Sequence, residues 1–139
     1  MIILYSCSND ESNNSADCTD FEDTEFSTLS LKDINPNSET YEQYINLETF
    51  SNVIQLFYFS NKETWNLCIS RFDSLYDLYL EYQQSDDINI MVVGVGANNN
   101  TTISDMVKNN SLPWIKDNVQ NNIWENWGIK NRDLIFIND

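Results

Sequence analysis

The chemistry open to this chain rests on few side-chain types. It has 139 residues, three cysteines and no histidine. Without His, imidazole acid–base catalysis, Ser-His triads and zinc sites with His ligands are excluded. Sulfur remains. Cys68 follows a β-rich apolar run, Val53-Ile54-Gln55-Leu56-Phe57-Tyr58-Phe59, and a polar break at Ser60-Asn61-Lys62-Glu63-Thr64. It then stands in Trp65-Asn66-Leu67-Cys68, which opens a long helix. A cysteine in a first helical turn lies near the positive end of the helix dipole and near uncommitted backbone N–H groups. Both stabilise the thiolate, the form that attacks disulfides and peroxides. A lone cysteine on a helix face reads equally well as a packed, inert small hydrophobe. Cys68 could also make a mixed disulfide, or pair with Cys18 if the intervening chain reaches it.

The elements that would hold Cys68 in place alternate in type. Val53 to Phe59 fits a strand buried on both faces. Residues 65–84 read as a helix with Cys68, Phe72, Leu75, Tyr76 and Tyr79 on one face and Asp73, Asp77 and Glu81 on another. Ile88 to Val95 and Leu134-Ile135-Phe136-Ile137 are two further buried strands. Between them lie a short helix around Ile103, Met106 and Val107, an extended piece at Leu112-Pro113-Trp114-Ile115, and a helical turn at Ile123, Trp124 and Trp127 stopped by Gly128. Phe26, Leu29 and Leu31 suggest a short strand closed by the turn Asn35-Pro36-Asn37-Ser38, and Leu47 to Asn52 a loop or short turn. Strand, helix, strand, helix, strand is an α/β order with a central sheet and flanking helices. There is no internal repeat. Gly94-Val95-Gly96 lacks the third glycine of a dinucleotide loop, with Asn99 in that place, and reads with Ala97 as a plain strand-end loop. Asp86-Asp87 reads as a solvated loop, and Trp114, Trp124 and Trp127 as packing residues.

One domain of about this size buries roughly two-thirds of its unfolded surface. Twenty-two acidic residues against seven basic give a net charge of −15, a field that repels phosphate backbones, so nucleic acid is not an expected partner. No apolar run approaches the ~18 residues of a spanning helix. Residues 1–50 hold half of the acidic residues, with Lys32 as the sole basic one. The polar stretch from Ser8 to Glu25 reads as a flexible tether. Asn-rich composition accounts for the glycosylation-type triplets at Asn13, Asn99, Asn100 and Asn109. Met1-Ile2-Ile3-Leu4-Tyr5-Ser6-Cys7 resembles the end of a bacterial lipoprotein signal, with Leu4 and Ser6 before Cys7. That resemblance implies lipidation of Cys7, a diacyl anchor, an extracytoplasmic location and a true start upstream of Met1. Residues 1–25 are then signal remnant and tether, and 26–139 the folded domain. Asn138-Asp139 after a strand suggests a turn opening, so a further strand and helix are expected beyond the end.

Several segments together carry a family resemblance. They are Phe26-Ser27-Thr28-Leu29-Ser30-Leu31-Lys32-Asp33, Val53 to Phe59, Thr64-Trp65-Asn66-Leu67-Cys68-Ile69-Ser70-Arg71-Phe72, Leu112-Pro113-Trp114-Ile115-Lys116-Asp117 and Ile123-Trp124-Glu125-Asn126-Trp127-Gly128-Ile129. In that order, over residues 26–137, they resemble the thioredoxin-like redoxins of the alkyl hydroperoxide reductase/thiol-specific antioxidant group. The branch most resembled includes the amino-terminal domain of selenoprotein P and its bacterial relatives. The resemblance implies a thioredoxin-like fold, no cofactor and no metal, a protein disulfide or peroxide as substrate, and a thiol reductant. It implies Cys68 as the resolving cysteine.

Two departures from that family bear on activity. The family carries Cys or selenocysteine three residues before the position of Cys68, where this chain has Trp65. Family members also place Trp just before the nucleophile, so a one-residue gap between Trp65 and Asn66 accounts for both Trp65 and Cys68. The family's cis-proline position falls near Asp133, within Asn131-Arg132-Asp133-Leu134, and similar acidic sequences occur in the selenoprotein P-like branch. The expectation is an extracytoplasmic thiol or selenol oxidoreductase; the alternative is a redox-inactive thioredoxin-fold binding module with a decayed site.

Overall fold

The computed structural model describes residues 3–8, 17–20, 29–61, 65–85, 88–98 and 103–138. Phe26, Thr64, Asp86-Asp87 and the triplets at Asn13, Asn99 and Asn100 lie outside them. The chain forms a mixed α/β structure. Strands β1 (Ile3–Ser8), β2 (Asp17–Asp20), β5 (Ile54–Ser60), β6 (Ile90–Gly96), β7 (Trp114–Lys116) and β8 (Leu134–Asn138) make one sheet in the order β2-β1-β8-β5-β6-β7. A separate pair, β3 (Leu31–Lys32) and β4 (Tyr44–Ile45), is antiparallel. The helices are α1 (Trp65–Gln83), α2 (Ser104–Val107) and α3 (Ile123–Asn126), and Leu47–Phe50 is a 3-10 turn.

The four middle strands follow from their residues. β5 and β6 run parallel, from Ile54 opposite Ile90 to Ser60 opposite Gly96, and α1 supplies the crossover between them. β7 extends the parallel set beside β6, and β8 lies antiparallel on the other side of β5. Strands buried on both faces need apolar residues at successive positions, and β5 is buried from Gln55 through Ser60. Side-chain alternation sorts them. Phe57, Phe59, Val93, Val95, Ile135 and Ile137 enter one core with Leu29, Leu31, Ile45 and Trp127, while Leu56, Tyr58 and Val92 enter the other with Cys68, Phe72, Met106, Leu112 and Trp114.

α1 presents the expected face. Cys68 and Phe72 are fully buried, and Leu75, Tyr76 and Tyr79 pack at the margin of the same core. Phe72 meets Trp114 edge-on at 5.0 Å between ring centroids and stacks on Tyr58 at 5.8 Å. Gly94 lies inside β6, where a β-carbon would run into the Trp114 ring and the edge of Phe72. Its glycine therefore serves close packing, not a phosphate loop. The α3 turn ends as the sequence suggests: Gly128 has φ +61°, and the N–H groups of Gly128 and Ile129 donate to the carbonyls of Glu125 and Trp124 at 3.1 and 2.9 Å.

Four expectations change. Of the strand expected over Phe26, Leu29 and Leu31, the described residues show Leu31–Lys32, continued at Asp33 by a single bridge to Ile115, and Leu29 is a buried core residue outside any strand. β6 begins at Ile90, and Ile88 is exposed. β8 does not stand without a further neighbour: β1 pairs antiparallel with it, Leu4 opposite Ile137 and Cys7 opposite Leu134. The acidic stretch is likewise not unpaired throughout, since Asp17–Asp20 forms β2 against β1. An apolar run such as Ile3-Leu4-Tyr5 satisfies an exposed strand edge as readily as it suits a signal sequence.

A buried polar knot ties the 33–40 loop to β7. Asp33 has no solvent exposure; its Oδ1 accepts the backbone N–H groups of Asn35 (2.9 Å) and Trp114 (3.0 Å), and its Oδ2 accepts the Thr40 hydroxyl (2.8 Å). The Asn35 amide, also buried, donates to the Leu112 carbonyl at 2.7 Å. Buried polar groups persist only when paired in this way.

Candidate functional site

The residues singled out around Cys68 meet at the carboxyl end of β5. α1 starts at Trp65, so Trp65 and Cys68 are separated by about one helical turn. Asn66 and Leu67 on that turn are exposed, while Cys68 is wholly buried. The Cys68 thiol donates a long bond to the Asn131 side-chain oxygen, 3.8 Å away. The same oxygen accepts the backbone N–H of Asn61 at 2.9 Å. One amide oxygen thus holds together the end of β5, the start of α1 and the loop before β8.

Tyr58 completes the wall. Its hydroxyl donates to the Cys68 carbonyl at 3.4 Å. Burial, reinforced by the neighbouring Cys68, pushes the Tyr58 phenol far above the usual tyrosine range, so it stays protonated and acts as a donor.

Asp133 ends the 130–133 loop. It is buried, and its carboxylate accepts the Lys130 N–H at 2.7 Å. Its own N–H returns to the Lys130 carbonyl at 3.2 Å. Desolvation raises its pKa, and the backbone bond and the Lys130 charge oppose that rise only in part. Two backbone bonds then fasten the loop to β5: Phe59 N–H to the Asp133 carbonyl at 3.0 Å, and Arg132 N–H to the Phe59 carbonyl at 2.8 Å. Arg132 adopts φ +76°, the left-handed region, which a non-glycine residue enters at a cost. No described peptide bond is cis. Asp133 therefore locks the loop internally, and Asn131 is the residue that reaches Cys68.

An open cleft of about 540 Å³ adjoins this point. Asn61, Ala97, Asn98, Asp117, Asn122 and Trp124 line it. Asp117 is buried and accepts the N–H groups of Asn118 (2.8 Å) and Trp124 (3.1 Å), so it fastens the start of α3. Trp114 and Trp127 are core residues, as expected. Trp124 is half-buried, packs edge-on against Phe59 at 5.7 Å and also faces the cleft.

The other two cysteines lie elsewhere in the sheet. Cys7, the expected lipidation position, is in β1, and Cys18 is in β2. Among the described residues, no group of three or more Cys, Asp or Glu side chains could hold a metal, and no helix is long and apolar enough to cross a membrane. Sequence reasoning missed Asn131, Asn61 and Tyr58. In an Asn-rich chain Asn131 carries no signal of its own, and Tyr58 hides in an otherwise apolar strand.

No protein-family model matches the chain, and no curated protein matches it.

Proposed function

We propose that the chain is a thioredoxin-like thiol or selenol oxidoreductase whose redox pair is position 65 and Cys68. The observation that carries this reading is the first turn of α1 seated directly after β5, with the 130–133 loop against it through Asn131. The strand order β8-β5-β6-β7, with β8 antiparallel, supports it, because thioredoxin-like proteins put their redox pair at the helix start after the equivalent of β5 and their substrate-holding loop before the equivalent of β8. A nucleophile at 65, or one inserted between Trp65 and Asn66, would stand three residues before Cys68. Position 65 is the first residue of α1, one turn before Cys68 and beside the exposed Asn66 and Leu67.

Trp cannot attack a disulfide, so this reading requires either that codon 65 be UGA, which is read as Trp in some genetic codes and as selenocysteine in others, or that a nucleophile codon stand beside it. The selenolate at 65 attacks a disulfide or peroxide. With a disulfide it forms a selenenyl-sulfide bond and expels one thiolate. Cys68 then attacks the selenium, releases the second thiol and leaves a bridge between 65 and 68, which a thiol reductant reopens. Burial of Cys68 suits this second step, which is intramolecular.

Reading the nucleotides of codons 65 and 66 tests the proposal. UGA at 65, or an additional in-frame codon for a nucleophile beside it, is the expected result. A second test is the W65C protein, which should reduce insulin disulfides or consume hydroperoxide, with turnover lost in W65C/C68S. A UGG codon followed directly by the Asn codon, with a folded but inactive W65C protein, would overturn the proposal. The complete burial of Cys68 would then mark the site as that of a redox-inactive binding module.

A further inference from the structure

We propose that Cys7 and Cys18 form a cross-strand disulfide that clasps the β1–β2 hairpin, a bridge independent of the Cys68 site. The two are direct partners in the antiparallel register of β1 and β2, where Ser6 faces Thr19 and Ser8 faces Asp17. Direct partners in an antiparallel pair share one face of the sheet, with Cα atoms ~4.5 Å apart at non-hydrogen-bonded sites and ~5.5 Å at hydrogen-bonded ones. Both separations fall within the ~4.4–6.8 Å that a disulfide spans. Neither kind of ladder position therefore demands that the backbone move.

The register carries further across the sheet. Cys7 is also the partner of Leu134, and Leu134 the partner of Tyr58. Cys18, Cys7, Leu134 and Tyr58 thus occupy one register row across β2, β1, β8 and β5. Cys7 lies two strands from Tyr58 and Cys18 three, about 10 and 14 Å at normal strand spacing. Each of these two cysteines therefore has the other as its immediate neighbour in the row, whereas Cys68 belongs to α1, beside Tyr58. A thioether to a lipid at Cys7 and a disulfide at Cys7 exclude each other, and the register favours the disulfide.

The bridge forms by exchange with a small-molecule disulfide. Each sulfur gives up its proton, one S–S bond forms between Cys7 and Cys18, the S–S bond of the oxidant breaks, and two thiols leave.

The test uses the full chain, reduced and then equilibrated with glutathione disulfide. Remaining thiols are blocked with N-ethylmaleimide in denaturant, and the protein is cut at Glu11, which lies between the two cysteines. The expected result is one blocked cysteine, Cys68, and a fragment pair joined through Cys7 and Cys18 until a reductant is added. C68S should keep the joined pair, and C18S should lose it and leave Cys7 open to blocking. The effective concentration of the pair against glutathione should be about tenfold or more higher in the folded protein than in urea. Three blocked cysteines, a bridge that includes Cys68, an effective concentration unchanged by urea, or a diacylglycerol thioether on Cys7 in protein from a lipoprotein-processing host would each overturn the proposal.

Discussion

Replacing Asp33 with Ala should be among the most damaging single changes outside the apolar core. Asp33 is fully buried and accepts three hydrogen bonds: the Asn35 and Trp114 backbone N–H groups on Oδ1 and the Thr40 hydroxyl on Oδ2. Asp33→Ala strips the two N–H groups of the acceptor they share. Each hydrogen bond to a charged group contributes about 1.5–3 kcal/mol, and an orphaned buried donor costs about 1–3 kcal/mol. The hydroxyl of Thr40 retains Ser38 Oγ at 3.1 Å, so its loss is smaller. The two N–H bonds together put the cost at about 3–5 kcal/mol, with no credit for water entering the space. For a domain of this size each kcal/mol moves the midpoint by about 3–5 °C, so thermal unfolding should fall by about 10–20 °C. Asp33→Asn keeps an acceptor oxygen for the N–H groups and offers an amide to Thr40, which can accept through its hydroxyl. It should cost about 1 kcal/mol. Urea unfolding followed by Trp fluorescence, with Trp114 and Trp127 in the core, measures both. An Asp33→Ala protein within about 1 kcal/mol of the parent would show that the knot is not what holds the 33–40 loop to β7.

Two further substitutions test packing and charge. Gly94→Ala inserts a methyl group where the Trp114 ring and Phe72 already touch the backbone, and Trp114 has no exposed edge to retreat to. It should cost about 2–3 kcal/mol in urea unfolding, and a neutral result would mean that β6 and β7 slide apart freely. Asp133 has a raised carboxyl pKa in the folded state, set first by desolvation. The folded protein therefore binds this proton more tightly than the unfolded chain does. The stability gained is full below the ordinary carboxyl value of 3.8 and is lost as pH rises through the raised folded value. The stability difference between the parent and Asp133→Asn, measured from acid to neutral pH, should move against the parent as pH rises. A flat difference, or one of opposite slope, would refute the assignment.

How much of this was legible in the sequence depended on whether a feature is local. β5, α1, β6 and β8 were, because each is a run of β-rich residues or a periodic apolar face long enough to outweigh context. The Gly128 stop was legible for the same reason: a left-handed residue at a helix end has a residue-type signature. The pairing of β1 with β8 was not, since the partners sit at opposite ends of the chain and a short apolar start has several uses. Asp33 lay within a segment that carried the family resemblance, yet its role depends on Trp114, 81 residues away. The same limit hid Asn131, whose oxygen meets Asn61 and Cys68 only after β8 has crossed beside β5.

Asn131 joins three elements through one side chain. Its amide oxygen accepts the Asn61 N–H and the Cys68 thiol, and the Tyr58 hydroxyl adds a bond to the Cys68 carbonyl. The 130–133 loop has its own lock in Asp133, and two backbone bonds to Phe59 hold it against the strand. Asn131 therefore reaches β5 and α1 from a loop that is already fixed, which is why one side-chain oxygen can serve all three.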